Sequence, residues 1–314
     1  MNHRGRKPLP SIQELATEGV NPLSTDLDTK PALEIARIIN AEDAKVAAAV
    51  EDALPQIARA IDWIAESLAR GGRLIYVGTG TSGRIGALDA SECPPTFDID
   101  PKLVRFVMAG GERALSRAVE ADEDSRTLGI REIRKQKPRK RDVVVGIAAS
   151  GRTPFTIAAV AWARRAGAKT IAVTCNPDSP LEQAAELAIV IETGAEVVSG
   201  STRMKAGTAE KMVLNMLSTG AMVRLGYVYG NLMVNLHQKN SKLAERAVRI
   251  LQLALGIERN AARRALRNAR NSLPVALVMV KAEASRMQAE RALKDSRGHV
   301  RQAIALACRK EQPL

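Results

Sequence analysis

At 314 residues, with 46% apolar and 26% charged side chains, the chain has room for one large globular domain or two ordinary ones. No apolar run reaches the ~18 residues of a membrane span, and residues 1–10 lack the hydrophobic segment of a secretory signal. Three scattered cysteines, Cys93, Cys175 and Cys308, argue against a disulfide framework or a zinc site, so a cytoplasmic protein with reduced thiols is expected. A net charge of +13 invites a nucleic-acid reading, but from Lys239 onward 17 Lys and Arg stand against 6 Asp and Glu, so nearly all of the excess sits on the last quarter.

In chain order, residues 1–10 read as a disordered basic leader. Two helical patterns follow, over 33–54 and 55–72, with Pro55 near the start of the second and Gly71-Gly72 past its end. Leu74-Ile75-Tyr76-Val77 is a buried strand by its short apolar run. The next residues, Gly78-Thr79-Gly80-Thr81-Ser82-Gly83, combine glycines that let backbone N–H groups approach an anion with hydroxyl donors and a coming helix N-terminus. That combination predicts a phosphate cradle. Arg84 to Ala90 should be helical, carrying Asp89 and Glu92 close behind the cradle until Pro94-Pro95 end the helix.

A second strand is expected over Leu103 to Ala109. Residues 112–125 begin helically and turn acidic at Glu120, Asp122, Glu123 and Asp124, a run that composition alone assigns to a solvated face. Its place after a strand's C-terminal end, where open α/β sheets bind ligands, favours a site role. A third strand, Asp142 to Ala149, runs into Ser150-Gly151-Arg152-Thr153-Pro154, a second donor-rich turn ahead of a helix over Ile157 to Ala166. Strand Thr170 to Cys175 follows, then another helix and strand up to Ile191. Residues 196–211 are too polar and glycine-rich for a core: Ser199, Ser201, Thr202, Arg203 and Lys205 either face the same anion or form a helix cap with a solvated basic turn. The apolar stretch 212–236 reads as one buried helix, a candidate dimer interface, with His237 beside it unassigned.

The last quarter holds a gapless internal repeat of 27 residues, in which 262–280 aligns with 289–307 through pairs such as Ala262/Ala289, Leu266/Leu293, Arg270/Arg297 and Ala276/Ala303. Each unit reads as helix, turn, helix, with His299 in a turn. The expected architecture is therefore α/β, a doubly wound, flavodoxin-like parallel sheet over 11–238, followed by a small all-helical basic domain over 239–314. Neither glycine turn is a GxxxxGKS loop, and no acidic residue stands where a dinucleotide's ribose would need one, so nucleotides are disfavoured.

With these segments in view the chain resembles the N-acetylmuramic acid 6-phosphate etherases, members of the sugar isomerase (SIS) fold group. The motifs LATEGVNP, LIYVGTGTSGRIGALDASECPPTF, VVVGIAASGRTPF and EVVSGSTRMKAGTAEKMVLNMLSTG carry the resemblance, which covers nearly the whole chain. It implies that Glu92 in ASECPPT and Glu123 in AVEADEDS are the two catalytic carboxylates; Glu92, tied to the cradle by only a short helix, is then assigned as the acid that assists lactate departure and Glu123 as the base at C2. It further implies that Ser82, Ser150 and Thr153 occupy the places where related domains hold a sugar phosphate; the two turns and the polar segment themselves add Gly80, Thr81, Gly83, Gly151, Arg152, Ser201 and Lys205 as candidates. The implied reaction converts N-acetylmuramate 6-phosphate and water to N-acetylglucosamine 6-phosphate and D-lactate without metal or other cofactor, in a homodimer. One alternative keeps the fold but makes the protein a non-catalytic sugar-phosphate sensor. A nucleic-acid-binding regulator built on the basic tail is disfavoured by the 3% aromatic content and the lack of a recognisable helix-turn-helix ahead of the sugar domain.

Overall fold

The computed structural model describes residues 11–117, 119–235 and 241–309. The expectations for the basic leader and for His237 lie outside the described residues. Short 3-10 turns between Ile12 and Thr29 lead into helices α1 (Ala32–Asp43), α2 (Val46–Glu51) and α3 (Leu54–Ala69). The single helix expected over 33–54 is thus broken at Ala44-Lys45. At the break Glu42 is buried and Lys45 folds back onto its carboxylate.

Strands and helices then alternate: β1 (Leu74–Gly78), α4 (Gly80–Phe97), β2 (Val104–Met108), α5 (Arg126–Lys135), β3 (Val143–Ile147), α6 (Pro154–Arg165), β4 (Lys169–Thr174), α7 (Pro180–Ala184) and β5 (Leu187–Val190). The strands pair in the order β2-β1-β3-β4-β5, every neighbour parallel, with Gly78 of β1 opposite Ile147 of β3. Near-continuous apolar runs such as Val143-Val144-Val145 are what a strand covered on both faces requires. On one face Ile75, Val77 and Val144 meet Phe155, Ala159, Val160 and Ala163 of α6 and Ile133 of α5. Complete burial of a side chain such as Phe155 contributes about 1.5–3 kcal/mol. On the other face α4 comes so close that a Cβ at Gly86 would lie 3.1 Å from Tyr76 Cβ and 3.2 Å from Ile147 Cδ1.

Helix α5 is absent from the sequence reading because Leu128, Ile130 and Ile133 are diluted by Arg126, Arg131, Glu132, Arg134 and Lys135. Its start signal was present: Ser125 accepts a hydrogen bond from Leu128 N at 3.2 Å as an N-cap. Helix α8 (Lys205–Arg224) closes the element order of this part.

The described residues form two compact units, one drawn from the chain up to Ala90 together with Lys102–Ser218, the other from Ser91–Pro101 together with the chain from Thr219 onward. In the second unit α4 continues through Pro94 and Pro95 to Phe97, where a helix stop was expected. Two backbone donors are lost there, but Asp98 N closes the last turn on Pro94 O at 2.9 Å, Cys93 and Phe97 are buried, and Phe97 meets the Tyr227 ring edge-on at 6.5 Å. The expected helix over 212–236 also stops early. Tyr227 N bonds to Met222 O and Gly226 N to Val223 O, a Schellman end that hands the chain to the hairpin β6 (Val228–Tyr229) and β7 (Leu232–Met233).

Helices α9 (Ser241–Leu255), α10 (Arg259–Asn268), α11 (Leu273–Lys281), α12 (Arg286–Asp295) and α13 (Val300–Arg309) complete this unit. The 27-residue repeat is visible in the backbone. Matched Arg270 and Arg297 both take left-handed φ, at 52° and 54°, and the residues after them, Asn271 and Gly298, return N–H bonds to the matched Leu266 and Leu293 carbonyls at 2.8 and 2.7 Å. Matched Ala262/Ala289 and Ala276/Ala303 are all fully buried in one cluster. His299 stands in the turn before α13 and packs on Gly226, where a Cβ would lie 2.5 Å from its ring. No described helix is long and apolar enough to cross a membrane.

Candidate active site

In a parallel sheet of this order the connections leaving β1 and β3 depart toward opposite faces, which opens a crevice at the C-terminal ends of those two strands. Both glycine turns singled out in the sequence are those connections. The first is tighter than expected: α4 already begins at Gly80, with Gly83 N bonded to Thr79 O at 2.9 Å, so Thr81, Ser82 and Gly83 form its first turn. Gly83 N closes the first intrahelical bond, and the N–H groups of Thr81 and Ser82 ahead of it lie at a helix start, the kind of position where an anion can be bound. Gly83 is required by contact, because a Cβ there would lie 2.9 Å from Gly78 O and 3.0 Å from Gly78 C. Gly80 has a φ of +49°, and a Cβ on it would approach Glu123 Oε1 to 3.3 Å.

The second turn carries Ser150, whose Oγ accepts from Arg152 N at 3.2 Å, then Gly151 at a φ of +66°. Thr153 is the N-cap of the 12-residue helix α6, with Pro154 in the first turn. Thr153 makes no side-chain cap bond there, so its hydroxyl is not spent on its own helix.

Glu123 links the two turns. Its Oε2 accepts from the Thr79 hydroxyl at 3.0 Å, and its backbone carbonyl accepts from Phe155 N, in the first turn of α6, at 3.1 Å. The solvated-face reading of the acidic run therefore fails at this residue, whose carboxylate is partly buried against the first bend.

Other expected residues are placed elsewhere. Glu92 is exposed in the last third of α4 and belongs to the second unit. Asp89 sits inside the first unit but as a structural lock: Oδ2 accepts from Tyr76 at 2.8 Å, and Oδ1 accepts from Asn215 at 2.8 Å and Ser218 at 3.0 Å. Lys205 is 3% exposed and its ammonium donates to Glu42 at 2.7 Å. It lines a cavity of about 370 Å³ with Asn21, Lys45 and Thr193. The 196–205 segment contains a helix cap, made by a carboxylate: Glu196 accepts from Lys205 N at 3.0 Å and Ala206 N at 2.9 Å, where the helix field favours negative charge. Ser199 bonds to the Glu18 and Gly19 carbonyls, and Ser201 N to Val198 O.

One site residue escaped the sequence reading. Glu210 of α8 is 1% exposed and its Oε1 is hydrogen-bonded to the Ser82 hydroxyl at 2.8 Å, while its Oε2 has no hydrogen-bond partner. Burial pushes this carboxyl up to about 8, against the smaller opposing effect of Ser82. Burial likewise raises the nearby Cys175 thiol, helped by the charge of Glu210. Little in the sequence signalled it, since Glu210 lies in the polar stretch 196–211 just ahead of the apolar part of α8.

The match to known proteins fits this geometry. Residues 56–164 match the family model of the glucokinase regulatory protein N-terminal SIS domain, and residues 134–220 match the SIS domain model. A phosphoheptose isomerase structure from Francisella tularensis shares the fold, with a TM-score of 0.50 at 17% identity over 62% of this chain and 100% of that one. The N-acetylmuramic acid 6-phosphate etherase of Symbiobacterium thermophilum is 57% identical over 85% of this chain and 89% of its own. That of Aeromonas hydrophila subsp. hydrophila is 49% identical over 93% of this chain and 98% of its own. Such identity, over most of this chain and of each relative, leaves one conclusion: the chain belongs to the N-acetylmuramic acid 6-phosphate etherase family.

Proposed function

We propose that the crevice between β1 and β3 holds N-acetylmuramate 6-phosphate by its phosphoryl group, and that the chain acts as a carbon–oxygen lyase releasing D-lactate and N-acetylglucosamine 6-phosphate. The observation that carries the site assignment is Glu123: one carboxylate oxygen is oriented by Thr79 at 3.0 Å, the other faces the bare α-carbon of Gly80. A base is thereby set beside two anion-binding helix starts, with Ser82, Ser150 and Thr153 as hydroxyl donors and Ser201 as a further donor to the sugar.

An alkyl ether resists direct hydrolysis, because alkoxide leaves poorly and C3 is not activated. In the ring-opened sugar, however, the C1 aldehyde acidifies C2–H. Glu123 takes that proton, electrons flow toward C1, and the C3–O bond breaks as an acid protonates the departing lactyl oxygen. Water then adds its oxygen to C3 while a proton returns to C2, so each acid–base group reverses its role. Donors at helix starts can stabilise the enolate as it forms. The assignment of Glu92 as the acid rests on its place in the ASECPPT motif.

Lactate assay of the purified protein with N-acetylmuramate 6-phosphate tests the reaction. In Glu92→Gln, release should fall by about 10²–10⁴, while exchange of the C2 hydrogen with deuterated solvent continues. Unchanged release would remove Glu92 from the mechanism. Binding of the sugar phosphate with no lactate from the unaltered protein would make it a sensor instead.

The working form is proposed to be a cytoplasmic homodimer. Val20, Leu23 and Val198 are 72%, 57% and 50% exposed on two segments joined by the Ser24–Val197 and Ser199–Glu18 hydrogen bonds, an apolar face that a second copy would cover. Light scattering should give twice the chain mass at assay concentration, and a monomer that turns over at full rate would refute it. Three cysteines that form no disulfide and a phosphorylated substrate suit a reducing compartment.

A further inference from the structure

We infer that Glu210 is a positioning residue: as a neutral acid it fixes the direction of the Ser82 hydroxyl so that Ser82 donates its proton to a phosphoryl oxygen. This inference rests on the reading that Ser82 faces the substrate phosphate. The geometry allows two arrangements across the 2.8 Å contact. An ionised carboxylate can only accept, so the single Ser82 proton must point at Glu210, and the serine then presents lone pairs to the ligand. A protonated Glu210 donates to Ser82 Oγ instead, and the Ser82 proton is released toward the ligand. The two arrangements differ by one proton, which Glu210 exchanges with solvent; Ser82 keeps its own proton, and the hydrogen bond between the two side chains reverses direction.

Two observations favour the second arrangement. Glu210 is fully buried with one oxygen unpartnered, a setting hostile to a charged carboxylate. Among the described residues no ion pair reaches it. The titratable groups on the elements around it offer no compensating cation. Cys175, which follows β4, is a thiol raised by burial, and Glu196 is an anion committed to the start of α8. Lys205 is held by Glu42, and Glu123 near the start of α4 is another acid. The raised pKa of about 8 agrees with an acid form at neutral pH. A buried carboxylic acid kept neutral so that it can donate is a known device for binding anions.

Titration calorimetry with N-acetylglucosamine 6-phosphate from pH 6.5 to 9.5 tests the inference. For the unaltered protein, affinity should be level near pH 7 and fall by up to about tenfold per pH unit above about 8. Glu210→Gln, whose amide donates at every pH, should bind within about threefold of the unaltered protein at pH 7 and show no alkaline fall. Ser82→Ala should bind more weakly and also lose the alkaline fall, because the relay has no receiver. An infrared band of a protonated carboxyl group, present at pH 7 and lost above pH 8, reads the same state without any variant. Identical alkaline falls in Glu210→Gln and the unaltered protein would overturn the relay while leaving the phosphate site standing. Failure of the unaltered protein to bind the sugar phosphate at any pH would overturn both.

Discussion

Glu123→Gln should reduce lactate release by about 10²–10⁴ and abolish exchange of the C2 hydrogen with solvent, with sugar-phosphate affinity little changed. The amide keeps the shape of the carboxylate and can still accept from the Thr79 hydroxyl, so the bend that places Gly80 and Ser82 stays intact. What it loses is basicity. A loss confined to kcat marks a group that acts in the transition state, whereas a rise in KM alone would mean that Glu123 only helps to bind. Retained C2 exchange in this variant would show that the base lies elsewhere. Comparison with Glu92→Gln, for which exchange should persist, separates proton removal from assistance to the leaving group.

The largest stability effect should come from Glu42→Ala. Glu42 and Lys205 pair at 2.7 Å with side chains only 3% and 4% exposed, and Asn21 donates to the same Glu42 oxygen at 2.9 Å. Truncation leaves an ammonium in the interior with no counter-charge, a change expected to cost about 3–5 kcal/mol. Urea denaturation should show the midpoint falling with an unchanged slope. Replacing the pair together, by Glu42→Leu with Lys205→Met, should recover most of the loss, because the buried charge goes with its partner. Acid provides a second check. Burial by itself would raise the Glu42 carboxyl, but hydrogen bonds from Lys205, Lys45 and Asn21 outweigh it and hold the group at about 2, below its ordinary 4.5. The unfolded chain therefore takes up this proton before the folded protein does. The contribution is complete above about pH 4.5 and is lost as pH falls toward 2. Equal acid sensitivity in the Leu/Met double variant would show that other carboxylates govern the transition.

The sheet was legible because its strands are short, β-branched and set between glycine turns, a pattern that only a doubly covered parallel sheet satisfies. The two glycine turns were legible for a related reason: each ends a strand with glycines and hydroxyls in place of apolar side chains. What failed was local. The Pro94-Pro95 pair reads as a helix stop, yet the burial of Cys93 and Phe97 carries α4 past it. The apolar run after Lys211 hides a change from helix to hairpin, because Tyr227, Val228 and Tyr229 suit either state. Pairings across long separations were out of reach. Nothing near Glu42 signals Lys205, 163 residues later, and nothing near Ser82 signals Glu210, 128 residues later. Lys205 accordingly entered the expected site as a phosphate ligand when its charge is already neutralised by Glu42.

The contact between Gly78 and Gly83 bears on the thermodynamics of recognition. The end of the strand lies so close to the first turn of the helix that a Cβ on Gly83 would be 2.9 Å from Gly78 O, so this corner leaves no room for a side chain. A guest that settles there freezes little additional chain motion, so the conformational entropy lost on association falls mainly on the opened sugar. On the proposed site assignment, selectivity at the phosphoryl end would come from fit against this tightly packed corner.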